Sequence, residues 1–212
     1  MSLFLAPIHY WLFNKIKLSE ELEKSIIKSH EERFEGIVEV VNESKLKYGD
    51  FLSEKPLEEI IDLSNIHGWL QERIRITESR SSYLFKELYS KYGEESKKIV
   101  MDEVKKQSLE SAKEVNIANS PNEVFDRLNN YILEGMPCDR INAITEQNNT
   151  EIVWQQDRCI HEENYKVAHG DIKYMYEIRD VWVKTFVENI SPGYVYTVER
   201  NGSKSVHKIK IK

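Results

Sequence analysis

Two cysteines in 212 residues are too few for a disulfide framework, so free thiols and a reducing cytoplasm are the expectation. No basic stripe is present. The net charge is −6, with 19 basic against 24 acidic residues in 1–133 and 11 against 12 in 134–212. Neither part carries the electrostatic footprint of a DNA- or RNA-binding module, so nucleic acid is not an expected partner. Long apolar runs are also missing. The opening Phe4–Phe13 is interrupted by Pro7 and His9 and falls short of the roughly 20 residues a bilayer span takes. It lacks the basic lead and small-residue cleavage site of a secretory signal, and Met1-Ser2-Leu3 reads as an expression remnant. Membrane is therefore not an expected partner either. Gly-rich phosphate loop, serine nucleophile elbow and His-Glu-x-x-His are all absent. Nucleotide-dependent chemistry is disfavoured, and no cofactor is expected.

What is present is enough apolar residue (40%) to bury a core and enough charge (31%) to keep a folded chain soluble. It also contains a repeat. Ile8–Glu20 recurs as Ile66–Glu78, with identities at Ile8/Ile66, His9/His67, Trp11/Trp69, Leu12/Leu70, Ile16/Ile74 and Glu20/Glu78. Two copies do not make a solenoid, which needs about three. A duplicated helical unit packed around a local pseudo-two-fold, with Trp11 and Trp69 buried, is the expected arrangement.

The fold class reads as α+β: a helical region over 1–135, then an antiparallel ββαββ module over 136–212. Pro7 opens a helix whose apolar face continues through Ile16, Ile26 and Ile27 toward Val41, with a restart expected at Ser19. The second copy runs from Asn65 to Tyr92, where Gly93 ends it, and Glu94–Val115 forms another helix. Ser120-Pro121-Asn122-Glu123 is a capping box whose helix Gly135 should close. Beyond it the apolar period becomes two. Strands are expected at Arg140–Glu146 and Glu151–Gln156, a helix at Asp171–Ile190, and a hairpin of Tyr194–Glu199 and Ser205–Ile211 around Asn201-Gly202. His207, Ile209 and Ile211 alternate with Lys208, Lys210 and Lys212, which suits an edge strand guarded by lysines.

Two constellations could carry chemistry. His9 and His67, each eleven residues before a glutamate, could gather with Glu20 and Glu78 as a carboxylate–histidine metal site, although no Glu-x-x-His spacing occurs. Otherwise His and Trp anchor a helix crossing. The second group is Asp157-Arg158-Cys159-Ile160-His161 beside His169-Gly170-Asp171. Cys159 is the candidate nucleophile and His161 or His169 its base, since a thiol near imidazole and guanidinium is readily activated. Cys138, Cys159, His161 and His169 have metal-ligand chemistry, but their spacing fits no zinc pattern, so no metal is assigned. Trp154, Arg158, Tyr176 and His207 are the candidate ligand-binding residues, with Tyr176 or Glu177 the expected partner of His207.

From about Leu84 onward, roughly three-fifths of the chain, the order of parts resembles the L-2-amino-thiazoline-4-carboxylic acid hydrolase-like proteins. Helices span Tyr92-Gly93-Glu94-Glu95 to Lys113; a strand pair leads into Arg158-Cys159, then come a helix and a closing hairpin. Arg158-Cys159 is similar to that family's Arg-Cys-Pro, with Ile160 in the proline position. A second cysteine is missing near Met175 and Tyr176, and a third is replaced by Val206 or His207. The resemblance implies a hydrolase-like fold. The function expected is binding of a small molecule. The alternatives are a cysteine-dependent hydrolase of a C–N or C–S bond of a small molecule and a structural or interaction protein dimerising through the helical repeat. The exposed Phe4, Leu5, Tyr10 and Phe13 would be covered by the chain's own fold or by a second subunit, which makes a homodimer the expected assembly.

Overall fold

The computed structural model describes residues 4–212, so the remnant read at Met1–Leu3 lies outside it. The elements are α1 (Pro7–Glu31), α2 (Ile37–Tyr48), α3 (Leu57–Ile60), α4 (Ile66–Glu114), α5 (Pro121–Leu128), β1 (Ala143–Gln147), β2 (Glu151–Gln156), α6 (Glu162–Val167), α7 (Ile172–Ile190), β3 (Tyr194–Asn201) and β4 (Lys204–Ile211). The chain is α+β, helical first and stranded last. No helix among the described residues is long and apolar enough to cross a membrane. Two compact units emerge, and they do not follow the expected 135/136 boundary. One runs through Val100 and adds Glu163–Ile172; the other is Met101–Glu162 with Lys173–Lys212.

In the first unit α1 is continuous where a restart was expected. Ser19 Oγ donates back to the Lys15 carbonyl at 3.1 Å, satisfying itself inside the helix instead of capping a new one. The helix ends at Glu31, and Gly36, at φ 75°, turns the chain into α2. Gly93 (φ 60°, ψ −141°) breaks α4 as its position implied, although helical turns resume at Glu94. Both copies of the repeat are helical, and contacts join 9 to 67, 20 to 77 and 23 to 80. Two helices meeting in that order run parallel and nearly in register. The expected burial of both tryptophans is not found. Trp11 and Trp69 are half-buried, Trp11 under the Lys15 ammonium and Trp69 against Phe13. Leu12, Ile16, Leu70 and Ile74 form the seam instead. Phe13 is covered by the fold, whereas Phe4 is 81% exposed.

A buried ionic cluster lies along this seam. The Arg80 guanidinium, fully buried, donates to both Glu23 carboxylate oxygens, to Glu20 Oε1 and to the Gly49 and Asp50 carbonyls, and it stacks 3.9 Å from the Phe51 ring. Glu20 also accepts from Arg73, Thr77 and the Leu52 backbone. A planar five-donor fork is the one side chain able to satisfy two carboxylates and a connector's carbonyls together. Complete burial pushes the Glu23 carboxyl up to about 7, against the opposing pull of Arg80. Glu20 is therefore committed to Arg80, and Glu78 accepts from Asn164, so neither reaches the histidine pair.

In the second unit α5 stops at Leu128, short of Gly135. Half of its capping box is as read: Ser120 Oγ accepts from the Glu123 amide, but the Glu123 carboxylate accepts from the Asn119 amide, one residue before the N-cap. The strands form one antiparallel sheet in the order β1-β2-β4-β3. The lysine-bearing β4 is thus interior, correcting the edge-strand expectation. Its lysines occupy the solvent face of a sheet covered on one side only, which produces the same alternation. The edges are β1 and β3. The register aligns Trp154 with His207 and Ile152 with Ile209 on the covered face. Asn201 pairs with Lys204, so the tight turn is Gly202-Ser203, one residue later than expected, with the positive φ of 62° at Gly202.

Candidate functional site

The covered face of the sheet changes chemistry along its strands. At one end Ile152, Ile209 and Tyr196 lie side by side; next come Trp154, His207 and Val198; last come Gln156, Ser205 and Arg200. Period-two alternation obliges each polar residue of that last row to point under the covering layer. There they meet α7, which contributes Tyr176, Arg179 and Asp180, and the segment after β2, which contributes Cys159 and His161.

Buried polar groups must be satisfied, and here they are satisfied in a directed chain. Arg179 binds Glu134 and donates to the Leu133 carbonyl at 3.0 Å. Gln156 Nε2 donates to Glu134 at 3.0 Å and to Asn142 at 2.8 Å, which turns its oxygen toward Ser205. Ser205 Oγ spends its only proton on that oxygen at 3.1 Å. It must then accept from His207 Nε2, 2.7 Å away, leaving Nδ1 to accept from the Tyr196 hydroxyl at 2.7 Å. The tautomer is assigned by this network. His207 is therefore neutral and Nε2-protonated. Burial first, then the charges of Arg179 and Arg200, press its pKa down to about 3. Its ring stacks on Trp154 with centroids 5.0 Å apart and planes within 9°.

Outside this chain lies a small hollow lined by Gln156, Cys159, His161, Tyr176, Arg179 and Arg200, with the hairpin residues Gly202–Ser205 at its rim. Its enclosed volume is about 10 Å³, room for one water. Cys159 is partly exposed and hydrogen-bonds the Tyr176 hydroxyl, whose pKa burial and that contact both raise. His161 is buried with Nε2 3.8 Å from Glu134 Oε2. Arg200 pairs with both oxygens of Asp180 at 2.5 and 2.6 Å and lies 4.6 Å from the Tyr176 ring centre. Trp154 and His207 line a neighbouring hollow with Phe125, Glu134 and Asn142, and Arg179 borders both.

Cys159, His161 and Tyr176 are thus brought to one hollow, with Trp154 and His207 in the adjoining one. Two candidates are not. His169 belongs to the first unit, is exposed and does not line the hollow. At φ 51° it closes α6: its amide bonds the Lys166 carbonyl and the Gly170 amide bonds Tyr165, a Schellman turn. Arg158 has a side chain 67% exposed, 4.0 Å from Asp139. The expected partner of His207, Tyr176 or Glu177, is replaced by Ser205, two residues earlier on the same face of β4, and by Tyr196, diagonally across on β3. Among the described residues no three His, Cys, Asp or Glu side chains gather as metal ligands, and Cys138 is exposed. Reading the sequence missed Glu134, Gln156, Arg179, Arg200 and Ser205. Alternation along β2 and β4 placed Gln156 and Ser205 on the inner face; only register shows that they touch.

No protein family, curated protein or solved structure matches this chain.

Proposed function

We propose that this chain binds a small molecule, and that the ligand's polar end enters the hollow at the Gln156–Ser205–Arg200 end of the sheet. The observation that carries the reading is the concentration of polar side chains (Gln156, Ser205 and Arg200 from the strands, Tyr176, Arg179 and Asp180 from α7, Cys159 and His161 after β2) on one end of an otherwise apolar helix-on-sheet core. A stability-driven core would place aliphatic residues there. The enclosed space admits about one heavy atom, so the rest of the ligand lies toward the Gly202–Lys204 rim. Pockets for whole ligands are usually about 300–1,000 Å³. The test is protection of Cys159 from iodoacetamide across a library of polar metabolites, paired with thermal shifts. A compound that protects Cys159 and raises the melting temperature supports the reading. It is abandoned if no compound in a broad library does either.

A second reading, hydrolysis of a C–N or C–S bond, is favoured by the Tyr176–Cys159 hydrogen bond and by Glu134 beside His161. Cys159 is then the nucleophile and His161 its base, oriented by Glu134. In that reading iodoacetamide alkylates Cys159 quickly at pH 7 and more slowly in His161→Gln, because the imidazole activates the thiol. Equal alkylation rates in the two proteins remove the catalytic reading and leave binding. A homodimer through the exposed Phe4 and Ile8, in a reducing cytoplasm that keeps both thiols free, completes the proposal. Light scattering decides the dimer.

A further inference from the structure

The repeat places its two histidines in contact. His9 Nε2 and His67 Nε2 are 3.3 Å apart, with ring centroids at 5.4 Å and planes inclined by 62°. Facing Nε2 atoms hold together only if one carries a proton and the other does not. The Ala6 amide decides which. It donates to His9 Nδ1 at 3.0 Å, so His9 is protonated on Nε2 and donates to an unprotonated His67 Nε2. His9 is buried and His67 exposed, so the pair lies at the surface with one side open.

We propose that His9 and His67 form a two-histidine chelate for a divalent transition-metal ion such as Zn²⁺ or Ni²⁺. Two ligand nitrogens at the usual 2.0–2.1 Å from a tetrahedral ion are separated by about 3.3–3.4 Å, the spacing found here. The ion replaces the proton the two rings share. His9 Nε2 loses its proton to water and offers the freed lone pair to the ion, while Nδ1 takes a proton from water, so the Ala6–His9 hydrogen bond is exchanged for a metal bond and no net proton is released from that ring. His67 already offers a bare Nε2. The first-turn proline helps: Pro7 needs no amide partner, so releasing Ala6 disturbs one hydrogen bond only. Among the described residues no third His, Cys, Asp or Glu joins the pair, so water fills the remaining positions through the exposed side of His67.

The experiment titrates ZnCl₂ or NiCl₂ into the full chain at pH 7.5 against a chromophoric chelator. Its partners are His9→Gln, His67→Gln and, as a control in the same unit, His169→Asn, which keeps a residue tolerant of positive φ. One equivalent should bind, and each of the first two variants should weaken it by about 10–100-fold or more, equally, because a chelate needs both rings. His169→Asn should bind like the parent. Nitrogen-15 spectra of the imidazoles in the unmutated chain give an independent reading, with both Nε2 signals shifting on loading. Equal affinity in parent and variants overturns the proposal, as does loss in one variant alone or a shift confined to one ring.

Discussion

Arg80→Met tests the account of the first unit most severely. Methionine matches much of the arginine volume, so packing is nearly conserved while five donors disappear. Glu20 retains Arg73, Thr77 and the Leu52 amide, but Glu23 loses the partner that reaches both its oxygens, and the Gly49 and Asp50 carbonyls lose a shared donor. Removing one partner of a buried ion pair costs about 3–5 kcal/mol. That cost should depend on pH in a stated direction. Because burial raises the Glu23 pKa to about 7 from an ordinary 4.5, the folded parent takes up a proton there before the unfolded chain does. Glu23 is neutral in both proteins at pH 5, so the loss should be smallest. It should grow through pH 8, where the parent pairs an ionised Glu23 with Arg80 and the variant must keep it protonated. Glu23→Gln in the Arg80→Met background should recover the alkaline part. Urea unfolding followed by circular dichroism at pH 5 and pH 8 measures both. A loss below about 1 kcal/mol at pH 8, or one independent of pH, would refute the argument.

The neutral His207 predicts a separate acid sensitivity. Its folded pKa, about 3, lies below the ordinary 6.5, so it stabilises above pH 6.5 and that contribution is lost as the pH falls toward 3. At 1.36 kcal/mol per pH unit the effect is at most about 4–5 kcal/mol, and His207→Gln should flatten the pH dependence of unfolding over that window. Trp154→Ala removes a ring that is 4% exposed and stacked on His207, and should cost about 3–5 kcal/mol in the same assay. The half-buried Trp69 should cost less on truncation, about 1–2 kcal/mol, and equal losses at the two positions would contradict their burial.

Short-range physics made the elements legible. Period-two apolarity marked β2 in full and nearly all of β3 and β4. Ser120-Pro121 marked the start of α5, and Gly93 marked a break in α4. Alternation likewise put His207 on the inner face with Ile209, because side-chain direction in a strand follows from the backbone alone. Three decisions lay outside any local window. Lysines along one face look alike on an edge strand and on an interior strand open to water, so only pairing with both β2 and β3 showed that β4 is central. Burying Arg80 required Glu20 and Glu23 from 60 and 57 positions away, and charge in a helix otherwise reads as solvated surface. The site itself depended on register. Gln156, Ser205 and Arg200 are ordinary polar residues until three strands align them, and His169 reads as a base until α6 ends on it. Chain direction and residue type determined the faces; which faces meet was decided by hydrogen-bond pairing between segments far apart in sequence, where burial leaves each polar group only the partners the register supplies.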